Sequence, residues 1–177
     1  MAELNDRGVA MSFWILAGIV LVVWLAWEFW PQKPYAFWLH EHGGLKPVLH
    51  RFLAHGRDKA QLKISVDAPD HFLIFRKRVA SPADTSMQAQ LTREPWSEPY
   101  YHTLRDELAQ RGIASLEDTD DSGKSVLVVQ LGQDVALGYM VALAAFDQVF
   151  KVPLFDRRAQ WDRMSTVRHP SVTGIIK

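Results

Sequence analysis

Between Gly8 and Trp27 the chain carries no charged side chain: GVAMSFWILAGIVLVVWLAW. About 20 apolar residues at ~1.5 Å rise match a hydrocarbon core ~30 Å thick, so the pattern predicts a single transmembrane helix. Trp24, Trp27, Phe29, Trp30, Tyr35, Phe37 and Trp38 follow, an aromatic belt at headgroup level, and Pro31 and Pro34 end the helix. A cleaved signal peptide fits less well. Glu3 and Asp6 flank a single Arg7, no small-x-small site follows the run, and an h-region spans only ~7–15 residues.

The pattern then changes. LKPVLHRFLAHGR places Leu45, Val48, Leu49, Phe52 and Leu53 on one helical stripe that Gly56 closes. QLKISV and HFLIFRKRV read as a strand pair about the turn Asp67–Asp70, with Leu62, Ile64 and Val66 alternating. Residues 81 to 99 are polar, hold three prolines and read as a long loop. SEPYYHTLRDELAQRG reads as a helix capped by Ser97, with Tyr101, Leu104, Leu108 and Ile113 facing the core. A second hairpin turns at Asp120–Gly123 and leads into SVLVVQL. Asp134 then caps DVALGYMVALAAFDQVF, a helix apolar on nearly every side and too short to cross a bilayer.

The predicted fold class is therefore α+β: a transmembrane helix, then a ββαββα domain with a largely antiparallel four-stranded sheet and helices on one face. The predicted organisation is residues 1–30 tail and anchor, 31–60 juxtamembrane segment, 61–153 soluble domain and 154–177 C-terminal tail.

Composition narrows the chemistry. The absence of cysteine in the 177 residues excludes disulfides, thiolate nucleophiles and Cys-ligated metals. Lys+Arg and Asp+Glu balance at 20 each, which argues against nucleic acid as a partner. The distribution is uneven. Residues 33–83 hold nine basic and four acidic side chains, whereas residues 84–121 hold three basic and nine acidic. Basic residues after the apolar run, Lys33 and Lys46 first, place the domain in the cytoplasm by the positive-inside rule.

Candidate chemistry is sparse. His40, Glu41 and His42, with His50 and His55, form the one metal-like cluster, but the spacing fits no single helical face. Asp118, Asp120 and Asp121 beside Gly123 resemble a calcium loop, yet Lys124 follows the glycine and the closing glutamate is missing. Ser122-Gly123-Lys124-Ser125 lacks the first glycine of a phosphate-binding loop. His71, His102 and His169 are isolated in sequence. Arg76-Lys77-Arg78 suits protection of an edge strand, or a phosphate or headgroup patch with Arg157 and Arg158. No catalytic, cofactor-binding or metal residue is assigned, and no cofactor. The expected role is a non-catalytic, single-pass accessory or assembly subunit of a larger membrane complex. Its partners would be the lipid bilayer and other complex proteins or a second copy of itself. The alternative is a membrane-anchored enzyme or ligand-binding domain.

Overall fold

A computed structural model describes residues 18–22, 35–66, 71–81, 84–120, 122–155 and 157–161. The chain divides into two compact units, Met1–Lys33 and Pro34–Lys177.

The first unit corrects one expectation. Among the described residues no helix is long and apolar enough to cross a membrane. Of the predicted span Gly8–Trp27, only residues 18–22 are described; they are helical, and Ile19, Val20, Leu21 and Val22 are more than half exposed. Five residues rise ~7.5 Å, a quarter of a hydrocarbon core. The rest of that span lies outside the described residues.

The second unit corrects the sheet. Among the described residues it has seven antiparallel strands, not four, in the order β1-β7-β2-β3-β4-β6-β5. In chain order they are β1 Tyr35–Trp38, β2 Gln61–Ser65, β3 Phe72–Ser81, β4 Asp84–Thr92, β5 Leu116–Thr119, β6 Ser125–Gly132 and β7 Arg158–Trp161. Both expected hairpins are present, β2–β3 and β5–β6. Three strands are additional. β4 occupies the expected loop and joins the two hairpins into one sheet. β1 comes from the segment expected beside the membrane. β7 comes from the expected tail and runs between β1 and β2, with Tyr35 opposite Trp161 and Leu62 opposite Trp161.

The helices are α1 Leu45–His55, α2 Glu98–Gln110 and α3 Val135–Leu143, the last continued as a π-helix over Ala144–Phe150; a 3-10 helix spans Leu39–His42. Alternate strand residues point at them: Leu62 and Ile64, Leu73 and Phe75, Met87, Ala89 and Leu91, Leu127, Val129 and Leu131 all join one core with helix residues. That core includes Leu49, Phe52, Tyr101, Leu104, Val141 and Phe146. The opposite face carries Gln88, Gln90 and Thr92.

Local chemistry explains the ends. Asp134 Oδ1 accepts the Leu137 N–H at 2.9 Å, the N-cap expected for α3. Ser97 does not cap α2 through its side chain. Its buried hydroxyl donates to the Thr92 carbonyl at 2.6 Å and ties the helix start to the end of β4. Lys151, in the left-handed region at φ 58°, ends the π-helix.

α3 is apolar all round because it is covered on two sides by its own domain. A Cβ built on Gly138 would lie 3.2 Å from Leu49 Cδ1 of α1, 3.2 Å from Met87 Cε and 3.4 Å from Leu131 Cδ1 of the sheet. Glycine at 138 lets the three elements approach closely, since a larger side chain would push these side-chain ends back.

Candidate functional site

The strip of α3 that stays uncovered leads into a half-open groove of about 570 Å³. Tyr139, Leu143 and Asp147 line it at intervals of four along α3 and its π-helical continuation. The start of α1, Gly43–Pro47, forms one wall and the loop Pro153–Phe155 the other. Gly43 and Gly44, at φ 77° and 91°, allow the tight entry into α1. Lys46 extends its ammonium to 4.6 Å from the Tyr139 ring centre, a cation–π contact. At the other end Asp147 Oδ1 accepts the Leu154 N–H at 3.1 Å and fixes the loop. Beside the groove Met140 and Phe155 are 42% and 67% exposed, large for apolar side chains.

A ridge continues from Phe155. The His40 ring lies 6.4 Å from Phe155, Trp38 lies 6.0 Å from His40, and the Arg158 guanidinium stands 5.5 Å from the Trp38 ring centre. The pairing of β1 with β7, Trp38 opposite Arg158, makes this adjacency. Leu39 N–H donates to the Arg157 carbonyl at 2.9 Å and locks the 3-10 helix to the same strand.

The residues singled out in the sequence mostly serve local structure. Glu41 Oε2 accepts the Trp38 N–H at 3.1 Å. His42 meets Arg51 at 3.0 Å and stands edge-on to Phe37 at 4.6 Å. His50 and His55 are exposed on α1. Among the described residues no three His, Asp or Glu side chains are placed to hold a metal ion. Asp120 Oδ1 accepts N–H bonds from Ser122 and Lys124 and the Ser122 hydroxyl, which holds its pKa below the usual aspartate value. This is turn chemistry. Asp121 and His169 lie outside the described residues. Lys124 pairs with Glu94. His71 Nε2 lies 3.2 Å from the Tyr100 hydroxyl, with Trp96 and Phe150 around the ring. His102 is exposed on α2.

Arg76, Lys77 and Arg78 do not protect an edge, because β3 lies between β2 and β4. They form no patch with Arg158 either. Arg158 is level with Ser65 and so with Phe72, and Arg76 is four residues further along β3, ~13 Å away. Lys77 is instead buried on the helix side, 4% exposed, and donates to the Leu53 carbonyl near the end of α1. Desolvation pulls its pKa below the usual lysine value. The ridge of Trp38, His40, Phe155 and Arg158 has no sequence signature, because its members meet only once β7 has paired with β1.

Neither the family models, nor the curated proteins, nor the solved structures contain a match to this chain.

Proposed function

We propose that the 35–161 domain is a non-catalytic interaction module, an accessory or assembly subunit of a larger complex at the cell membrane. The groove between α1 and α3 receives an apolar side chain of a partner protein in that complex. The observation that carries this reading is the exposed apolar side chain of Met140, 42% exposed on α3 next to a groove-lining tyrosine, Tyr139. The membrane location rests on the uncharged sequence Gly8–Trp27 and on the basic residues that follow it. The apolar circumference of α3 supports the reading less than its sequence implies, since α1 and the sheet cover most of it.

The test is site-specific photocrosslinking from Met140 in the full-length protein, followed by binding of the purified crosslinked protein. The reading expects one protein to crosslink, and its affinity to fall at least tenfold with Met140→Glu while the melting temperature is unchanged. Binding that ignores Met140→Glu overturns it. The groove volume also falls in the range of small-molecule sites. A small molecule that co-purifies and leaves with Tyr139→Ala would favour a ligand-binding domain instead.

A further inference from the structure

The ridge beside the groove has the chemistry of a lipid contact rather than of a protein pocket. Its aromatic members, Trp38, His40 and Phe155, form a connected row. Phe155 stands two-thirds exposed at one end, and His40 beside it is exposed. Amphipathic rings of this kind settle at the headgroup level of a bilayer, where one end is apolar and the other wet.

Charge points the same way. The two segments that build this corner, residues 35–55 and 151–161, hold Lys46, Arg51, Lys151, Arg157 and Arg158 against Glu41 and Asp156. The Glu41 carboxylate is turned to the Trp38 N–H, and Asp147 of the neighbouring groove to the Leu154 N–H. Lys46 and Arg158 are exposed and project over rings, Tyr139 and Trp38. A basic side chain lying over an aromatic one keeps its stem on apolar surface and its head in water, the posture that suits anionic headgroups.

We infer that the Trp38–His40–Phe155–Arg158 ridge lies on an anionic lipid surface, so that the domain rests against the headgroups and its groove opens beside them. This rests on the membrane location proposed above but not on the occupant of the groove.

The test uses the cysteine-free background. Single cysteines at His40 and, as a control on the β5–β6 turn, Ser122 are labelled with an environment-sensitive fluorophore in the full-length protein. The protein is added to vesicles of phosphatidylcholine with phosphatidylglycerol, in which part of the lipid is brominated high on the acyl chain, and the vesicles are floated. The inference expects the protein to float and the label at His40 to be quenched several-fold more than the label at Ser122. Arg158→Glu, or vesicles of phosphatidylcholine alone, should remove most of that difference. If the protein floats and the two labels are quenched alike, the ridge inference is overturned and the membrane location stands. A label at His40 that is shielded from water yet unquenched by brominated lipid means that a protein covers the ridge, and also overturns it. If the protein does not float, the membrane location fails, and this inference with it.

Discussion

Gly138→Val is the sharpest probe of whether α3 is internal. At Gly138 an added Cβ meets Leu49 Cδ1 and Met87 Cε at 3.2 Å and Leu131 Cδ1 at 3.4 Å. Carbon atoms pack best at roughly 3.5–4.0 Å, so the ends of Leu49 and Met87 must give by a few tenths of an ångström even for alanine. Valine adds two further methyls in the same space. The helix itself gains about 0.4 kcal/mol when glycine becomes valine. Overpacking a formed core costs about 1–3 kcal/mol. The net is a loss of ~0.6–2.6 kcal/mol, and at about 2–4 °C per kcal/mol for a chain of this length the melting temperature should fall by ~1–10 °C. Because Leu49 and Met87 contribute flexible side-chain ends, Leu49→Ala made together with Gly138→Val should cost less than the two changes summed, with a coupling of ~0.5–3 kcal/mol. Thermal unfolding of the full-length protein followed by near-ultraviolet circular dichroism measures both quantities. A rise in melting temperature for Gly138→Val would refute the reasoning. It would mean that position 138 opens to free space, that α1 does not cover α3, and that the whole apolar helix is again available to a partner.

Three further outcomes follow from the same geometry. Met140→Glu, at a position 42% exposed, should move stability by less than about 0.5 kcal/mol, whereas Val141→Glu, at 1% exposed, should cost ~3–5 kcal/mol and unfold much of the protein; similar urea midpoints for the two would contradict this orientation of α3. Asp134→Ala removes the cap on Leu137 and should cost ~0.5–2 kcal/mol, read as a shifted urea midpoint at unchanged slope. For Lys77 the sign is set by its lowered pKa: between that value and the ordinary 10.5 the unfolded chain holds a proton that the folded one has released, so stability rises with pH across this window. Lys77→Met should flatten that rise while costing ~1–3 kcal/mol near neutrality through the Leu53 carbonyl left without its donor, and an unchanged pH slope would show that Lys77 is not its source.

Elements with a strong local period were legible in the sequence. α1 and α2 repeat apolar residues at three and four, α3 is a continuous apolar run behind the cap Asp134, β2 alternates apolar and polar residues, and β6 carries the β-branched run of a strand. β4 was not legible, although Met87, Ala89 and Leu91 alternate with Gln88, Gln90 and Thr92. Glutamines and flanking prolines suggested a loop, and only the register on both sides, Gln90 opposite Ile74 and opposite Val128, makes those polar residues strand positions. β1 and β7 were hidden for a different reason. Each is four residues long, too short for a period to emerge, and each is a strand because the other is present.

The same pairing decides where the candidate site lies. Residues 35–42 and 153–161 are separated by more than a hundred positions, and nothing in their composition links them. Once Tyr35–Trp38 runs antiparallel to Arg158–Trp161, Arg158 falls on Trp38 and the preceding loop brings Phe155 to His40. That loop is held by a carboxylate of the π-helix that continues α3, Asp147 on the Leu154 N–H, and α3 in turn is held against α1 at Gly138. The ridge and the groove therefore share one support, the packed contact between α1 and α3. A change at Gly138 that spares global folding should still shift Phe155, so Gly138→Ala should alter the fluorescence of a label at His40 in the absence of any vesicle, while Ser122, on the far hairpin of the sheet, should report no change. A response at both positions would mean that the substitution loosens the whole domain and that the shared support has no special place in it.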